Sequence, residues 1–254
     1  MSIPVSGNEI RFVKSLERKK ARDEHGMFVV EGAKMVDEAL RSKFEVVRHY
    51  RIEDIGSTAM ERMSLLASPS PALAVVRKPE GLEINDLSYF SLPDNGLFLA
   101  LDGIRDPGNL GTILRIADWF GIDGVFASSD TVDIFNPKVV QATMGAIFRV
   151  SFHYCDIVRL CRFFAISGGN AYGTFLDGDN FYERELNIGN QSKSLIVIGN
   201  EANGISSEVA SVITDRLFIP PYPADERGSE SLNAAVATAV TVAEFRRRAL
   251  LNCH

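Results

Sequence analysis

The feature that most constrains this chain is a regular alternation of short apolar runs and amphipathic helical segments in its C-terminal part. Leu97–Leu101 and Leu195–Ile198 are continuous apolar runs, as expected for strands that are buried on both faces of a sheet. Further strands are predicted at Gly124–Ala127, Ala171–Phe175 and Arg216–Ile219. Helices are predicted at Asn109–Phe120, Pro137–Ala146, Ile157–Ser167 and Leu232–Leu251. This order predicts an α/β fold, a mainly parallel sheet with helices on both faces.

The N-terminal part is predicted to be a separate small α/β domain. Helical spacing of apolar residues continues up to Gly26, and a buried strand follows at Met27–Val30. The stretch from Arg77 to Gly96 contains proline, glycine and little periodicity, which is typical of a linker. We therefore predict a first domain over residues 1–87, a linker over 88–96 and a second domain over 97–254.

Composition excludes several classes of protein. The 254 residues carry a net charge of −6, which argues against a protein that coats nucleic acid non-specifically. Three cysteines without a CxxC pair make a disulfide framework or a zinc site improbable, so we expect no metal. No apolar run approaches the roughly 20 residues of a membrane helix. The N-terminus lacks the pattern of a signal peptide, and we expect a cytoplasmic protein.

One segment is locally basic despite the negative total. Six basic residues, among them Lys19, Lys20 and Arg22, lie between Glu9 and Arg22 against two acidic ones. Such a run is usually the solvated face of a helix. It becomes a candidate for phosphate contacts only if the rest of the chain indicates RNA.

Ligands of parallel α/β sheets bind at the carboxyl ends of the strands, so the loops after the strands are the candidate sites. The first loop, Asp102–Gly111, lacks the lysine of a phosphate-binding Walker loop, and no GxGxxG occurs. Asn109 is predicted to cap the following helix. Arg115 lies further along that helix, where it is either a surface residue or a guanidinium suited to a phosphodiester.

Two further loops carry polar groups at the same edge. In Gly199–Gly204, Gly199 is expected to allow close approach of a ligand, Gly204 a left-handed turn, and Glu201 stands between them. The third loop begins with Ile219 and three prolines and ends at Ser231-Leu232-Asn233. Ser231 is predicted to cap the last helix, whose alanines allow close packing on the sheet or on a partner subunit.

Together the three loops resemble the SpoU (TrmH-type) family of the SPOUT class, RNA 2′-O-ribose methyltransferases. The motifs that carry the resemblance are Asp106–Gly111 with Arg115 and Gly121, then Gly199–Gly204, then Ile219-Pro220 followed by Ser231-Leu232-Asn233. Three motifs in the right order are specific, whereas any one alone is not. The N-terminal part is similar to the family's substrate-binding domain through Lys19–Arg22 and Phe28–Gly32.

The resemblance implies a homodimer, a C-terminal trefoil knot and S-adenosylmethionine bound in that knot. Carried over by position, the cofactor pocket would be lined by Thr174, Gly199, Ile219 and Leu232. The catalytic and cofactor-orienting set would be Asn109, Arg115, Glu201, Ser231 and Asn233. Lys19, Lys20 and Arg22 would contact RNA, with ribosomal RNA favoured over transfer RNA.

Two departures from the family pattern stand out. The stretch from Tyr222 to Glu230 is longer than the usual loop, which leaves the pocket register open there. Ala235 stands where many relatives carry a second serine. Two alternatives also remain: a transfer RNA methyltransferase, and an RNA-binding relative without catalysis, although the intact set of five site residues argues against the latter. An unrelated nucleotide-binding α/β enzyme is disfavoured because phosphate-binding fingerprints are missing.

Overall fold

A computed structural model describes residues 5–87, 93, 95–186, 188, 192–223 and 231–251. The chain divides into two units. The first contains the described residues up to Glu80 together with Asp133–Arg149, and the second contains the rest. Most of the predicted linker, at 88–92 and 94, and residues 224–230 of the third loop lie outside the described residues.

The first unit is built on a three-stranded antiparallel sheet in the order β1-β3-β2. Its strands are β1 (Met27–Glu31), β2 (Val46–Arg51) and β3 (Ala72–Arg77). Its first helices are α1 (Gly7–Ser15), α2 (Lys19–His25), α3 (Ala33–Arg41), α4 (Ile52–Ile55) and α5 (Ser57–Met63). Apolar residues from α1, α5 and the sheet form its core, with Val13, Leu16 and Met60 completely buried.

The second unit is a seven-stranded sheet, and every strand pair in it is parallel. Its strands are β4 (Glu83–Ile84), β5 (Gly96–Asp102), β6 (Gly124–Ala127), β7 (Phe152–Cys155), β8 (Asn170–Asn180), β9 (Lys193–Gly199) and β10 (Asp215–Phe218). Its helices are α6 (Pro107–Trp119), α8 (Ile157–Ile166), α9 (Ser207–Ala210) and α10 (Ala234–Leu251). This architecture confirms the parallel α/β fold expected from the continuous apolar runs.

The strand order β10-β8-β9-β5-β6-β7-β4 places a switch point at the centre of the sheet. The chain leaves β5 towards β6 on one side, while β9 returns to pair with β5 on the other. At such a point the loops after the two strands diverge and leave a crevice at the carboxyl edge. The loops after β5 and β9 are therefore neighbours, although they are about a hundred residues apart in sequence.

The helix α7 (Pro137–Thr143) belongs to the first unit and not to the second, although the sequence places it within the predicted second domain, 97–254. The segment that contains it, Asp133–Arg149, is tied to the first unit by aromatic pairs. Phe28 and Phe135 have ring centroids 4.5 Å apart, and Phe44 and Phe148 have centroids 5.3 Å apart. Contacts with residues so distant in sequence leave no periodic signal, and pattern reading could not assign this segment.

Arg22 also differs from the expectation that it contacts RNA. Its side chain is 2% exposed, and its Nη2 donates to Asp133 Oδ2 at 2.7 Å. Its Nη1 donates to the backbone carbonyls of Leu16 (3.0 Å) and Glu17 (2.6 Å). A buried guanidinium with these partners cannot reach a phosphate, so the prediction for Arg22 is wrong. Its structural role is to join α2 to the Asp133–Arg149 segment.

Replacing Asp133 by asparagine should lower the free energy of unfolding by about 3 kcal/mol, because it leaves the buried charge of Arg22 without a counterion. Chemical denaturation followed by circular dichroism measures this. The matched control is Asp23→Asn, which removes the exposed ion pairs to Lys19 and Lys78. Exposed pairs contribute little, so this control should cost less than about 1 kcal/mol. Equal losses in the two variants would show that Arg22 and Asp133 do not anchor the segment.

Candidate active site

The first loop leads from β5 into α6, and its cap differs from the prediction. Asp106, not Asn109, is the N-cap: its Oδ1 accepts from the backbone N–H of Asn109 at 2.8 Å. Pro107 follows at the first helical position, where a missing N–H costs nothing. Because Asp106 satisfies the helix end, the side chain of Asn109 is free to reach other groups.

The second loop follows β9 and folds back on itself. Asn200 and Gly204 exchange two backbone hydrogen bonds of 2.9 and 2.8 Å. Gly204 has φ +68°, the left-handed turn that the sequence predicts. A Cβ on Gly199 would overlap the carbonyl carbon of Gly204 and the nitrogen of Ile205. Gly199 is thus required by the packing of its own loop.

The third loop ends at α10, and here too the cap differs. Asn233 caps the helix, since its Oδ1 accepts from the N–H groups of Ala235 (3.0 Å) and Val236 (3.3 Å). The prediction that Ser231 is the cap is wrong. Ser and Asn are about equally good caps, so local preference did not distinguish two candidates that stand two residues apart.

A chain of side-chain hydrogen bonds joins the three loops. The Nδ2 of Asn233 donates to the Oδ1 of Asn109 at 2.9 Å. The Nδ2 of Asn109 in turn donates to Oε1 of Glu201. Each of the two asparagines therefore donates from its Nδ2 to the next residue, and both contacts pair a donor with an acceptor. The tertiary structure brings these three predicted residues together into one polar network.

Arg115 lies outside this network. It is six residues beyond Asn109 in α6, which at about 1.5 Å per residue is roughly 9 Å along the helix axis. Its side chain is exposed, and it makes no hydrogen bond or ion pair with any residue that the structure describes. The opposite face of the helix is buried through Leu110, Ile113 and Leu114. The guanidinium is therefore free to bind a ligand that approaches from solvent.

A cleft of about 440 Å³ opens beside the network at the carboxyl edge of β8, β9 and β10. Volumes in this range suit a small-molecule ligand. All four residues predicted for the cofactor pocket line it: Thr174, Gly199, Ile219 and Leu232. Glu201 and Ser231 line it as well, so the polar network and the cleft share a wall.

Sequence reasoning missed part of the cleft wall. Phe175 lines the cleft, and the guanidinium of Arg216 lies 3.6 Å from its ring centroid. Arg216 is held there by Asp177 at 2.6 Å, and this hydrogen bond lowers the pKa of the Asp177 carboxyl. The stacked guanidinium holds the aromatic ring in place. An aromatic residue two positions before an aspartate in a strand gave no local signal for this arrangement.

The two described cysteines are unsuited to nucleophilic catalysis. Burial raises the pKa of Cys155 and of Cys161 to about 12, so both are neutral thiols and poor nucleophiles near pH 7. Among the described residues, no group of three or more His, Cys, Asp or Glu side chains is placed to hold a metal ion. Nor does any described helix have the length and apolar character needed to cross a membrane.

Two parts of the chain match known protein families. Residues 96–243 match the SpoU rRNA Methylase family, and residues 7–77 match the MRM3-like substrate binding domain. The chain is 27% identical to the 23S rRNA (guanosine(2553)-2′-O)-methyltransferase RlmP of Bacillus subtilis, over 92% of this chain and 94% of that protein.

Solved structures share the fold over nearly the whole chain. A protein of the TrmH family of RNA methyltransferases from Porphyromonas gingivalis is 38% identical, with a TM-score of 0.83, and the match covers 96% of this chain and 99% of that one. An AdoMet-bound rRNA methyltransferase from Sinorhizobium meliloti superposes with a TM-score of 0.84 at 24% identity, over 97% and 98% of the two chains. With a family match over more than half of its length, the chain belongs to the SpoU rRNA methylase family.

Proposed function

We propose that this protein transfers the methyl group of S-adenosylmethionine to a ribose 2′-hydroxyl of ribosomal RNA in the cytoplasm. The observation that carries the proposal is the hydrogen-bonded network of Asn233, Asn109 and Glu201 beside the cleft. It unites all three motifs at the switch point of the sheet. Family membership and the ribosomal RNA substrate in the name of the Bacillus relative support it.

The cleft fits S-adenosylmethionine in size and in chemistry. Its apolar wall includes Phe175, Ile198 and Leu232, which suit an adenosine ring system. Its polar lining includes Glu201 and Ser231. When bound, the cofactor supplies an electrophilic methyl group on a sulfonium, and the leaving sulfur becomes neutral. No metal is required for such a transfer.

The residues of the chain are assigned to orientation and to activation of the hydroxyl. An in-line attack requires the two reactants to be held in one geometry, which the network of Asn109, Glu201 and Asn233 provides. A guanidinium offers five N–H donors and no acceptor, so Arg115 is not assigned the role of a general base. We assign its guanidinium to an RNA phosphate, where its charge also lowers the pKa of the attacking 2′-hydroxyl. Ser231 adds a hydroxyl to the cofactor side of the cleft.

The test combines cofactor binding with product mapping. Calorimetry should detect S-adenosylmethionine binding that a chelator leaves unchanged. Incubation with ribosomal RNA from a strain in which the gene is deleted should add a 2′-O-methyl group at a defined nucleotide. Cofactor binding without methylation of that RNA would instead identify a catalytically silent relative or a transfer RNA enzyme, and methylation of transfer RNA from the same strain separates these two.

We further propose that the first unit binds the RNA, with Lys19 and Lys20 as contacts. Both are exposed, and Lys19 has an ion pair to Asp23 at 2.6 Å. Replacing both lysines by alanine should weaken RNA binding and reduce the salt slope, by about 0.7–0.9 per lost phosphate contact. Filter binding at several salt concentrations measures both quantities, and cofactor affinity should not change. Lys43→Ala, an exposed lysine outside the basic run, is the control. If the salt slope of RNA binding is unaltered in the double variant, the basic run is only the solvated face of a helix.

Two observations support the trefoil knot and the homodimer that the family resemblance implies: the path of the C-terminal chain, and exposed apolar side chains. After β10 at the edge of the sheet, α10 returns to contact β9 and α6 near its centre, as a knotted path requires. Trp119, at the end of α6, is 83% exposed, and Val236 on α10 is 48% exposed. A partner subunit docked on these two touching helices would cover both side chains.

Replacing Trp119 by glutamate should therefore convert a dimer into a monomer, because it places a charge in an apolar interface. Sedimentation velocity at micromolar concentration measures the change. The matched control is Ile166→Glu, since Ile166 is 88% exposed on α8, a helix that packs against α9 and the sheet. A monomeric wild-type protein with full activity would contradict the dimer, whereas a Trp119→Glu variant that stays dimeric would show that Trp119 lies outside the interface.

A further inference from the structure

Asn200 uses its whole side-chain amide to join two of the active-site loops. Its Oδ1 accepts from the backbone N–H groups of Ala202 (2.9 Å) and Asn203 (3.3 Å), which closes the turn of the second loop. Its Nδ2 donates to the backbone carbonyl of Gly103 in the first loop at 2.8 Å. An amide is required here, because the same side chain must accept on one side and donate on the other.

A second contact joins the same loops at their far ends. The Oδ2 of Asp102 accepts from the backbone N–H of Ser206 at 2.7 Å. Asp102 and Gly199 are also partners in the β5–β9 pairing. The second loop is therefore attached to the first at its beginning and at its end, while Glu201 projects from the part between these attachments.

We propose that Asn200 is a positioning residue that holds Glu201 in register with Asn109, and that it acts on the methyl-transfer step and not on cofactor affinity. This inference rests on the proposed function. Its physical reason is that the Asn109–Glu201 contact spans the two loops, so any slip of one loop against the other changes it. A misplacement of about 1 Å in a catalytic constellation can lower the rate by about a hundredfold.

Two variants separate the bond to the first loop from the turn of the second. Asn200→Asp keeps oxygens that accept from Ala202 and Asn203, but it faces the Gly103 carbonyl with a second acceptor. Asn200→Ser keeps a hydroxyl that can cap the turn, and it is too short to reach Gly103 and carries no charge. The matched control is Asn180→Asp: the Asn180 side chain accepts from the Tyr182 N–H at 3.0 Å and donates to no residue that the structure describes.

The experiment measures kcat with ribosomal RNA from the deletion strain, the dissociation constant of S-adenosylmethionine by calorimetry, and the melting temperature. Both Asn200 variants should lose about 10- to 100-fold in kcat. Their cofactor dissociation constants should stay within about threefold of the wild-type value. In an Asn109→Ala background, Asn200→Ser should change kcat by less than about threefold, since the contact that it positions is already gone.

Several results would overturn the inference. Wild-type kcat in either variant shows that the bond to Gly103 is dispensable. Asn200 also lines the cleft, so a rise in the cofactor dissociation constant that matches the loss of rate would show that it acts only through cofactor binding. Loss of the folding transition in both variants would show that Asn200 is needed for folding and not specifically for methyl transfer. A wild-type protein that binds the cofactor but methylates no RNA refutes the proposed function instead, which the wild-type measurement distinguishes.

Discussion

Replacing Arg115 by alanine should lower the rate of methyl transfer by about a hundredfold or more, because positioning of the phosphate and activation of the hydroxyl are lost together. The fold should be unaffected. Arg115 is exposed and has no partner among the described residues, while the core face of α6 is formed by other side chains. Alanine also has the higher helix propensity. Single-turnover methylation of ribosomal RNA from the deletion strain measures the rate, and a cofactor titration accompanies it.

Arg115→Lys should restore little of this activity. A lysine ammonium is a point charge and cannot make the two parallel hydrogen bonds that a guanidinium makes to a phosphate. Cofactor affinity should persist in both variants, since the cleft is lined by residues of other loops. This separates a phosphate contact from a role in the cofactor pocket.

The control for Arg115 is Arg159→Ala. Arg159 is likewise an exposed helical arginine of the second unit, 71% exposed on α8. Its loss should leave the rate unchanged. Near-normal turnover in Arg115→Ala would remove Arg115 from the catalytic set, and full recovery with lysine would reduce its role to a general effect of positive charge.

Gly199→Ala should destabilise the protein even without cofactor, by about 1–3 kcal/mol, because the new methyl group overlaps backbone atoms that have no room to move. The atoms concerned are the carbonyl carbon of Gly204 and the nitrogen of Ile205. Both residues line the cleft together with Gly199, so displacing them changes the shape of its wall. Cofactor affinity should therefore fall by about tenfold or more, equivalent to about 1.4 kcal/mol.

Comparing the two effects tests why this position is glycine. If the glycine served only the close approach of a ligand, affinity would fall while the melting temperature of the free protein stayed the same. The crowding by Gly204 predicts that both fall together. Gly7→Ala is the matched control, because a Cβ there meets no atom within 4 Å and the backbone is not left-handed. Its effect should be within about 0.5 kcal/mol.

The strand pattern and the three loops could be predicted because their causes are local. Strands buried on both faces need continuous apolar runs, and Leu97–Leu101 and Leu195–Ile198 have them. The loops that follow such strands lie at one edge of a parallel sheet, so Asn109, Glu201 and Asn233 could be assigned to one region. The left-handed turn at Gly204 is also a local property of the residue type.

The helix caps were predictable as a class but not as individual residues. Asp106 and Asn233 cap α6 and α10, although the sequence favoured Asn109 and Ser231. Asp, Asn and Ser are all good caps, so a shift of two or three residues costs little locally. With Asp106 as the cap of α6, the Asn109 side chain is free to accept from Asn233 and to donate to Glu201.

The sequence by itself determined where the buried strands run, which loops meet at the carboxyl edge and which residues in them are polar. Only the tertiary structure decided the partners. Asn109 bonds Glu201 across 92 residues and Asn233 across 124, and Arg22 is buried against Asp133 across 111. Periodicity and cap preference act over a few residues. A charged residue such as Arg22 is therefore predicted to be exposed, because the segment that buries it lies far away in the sequence.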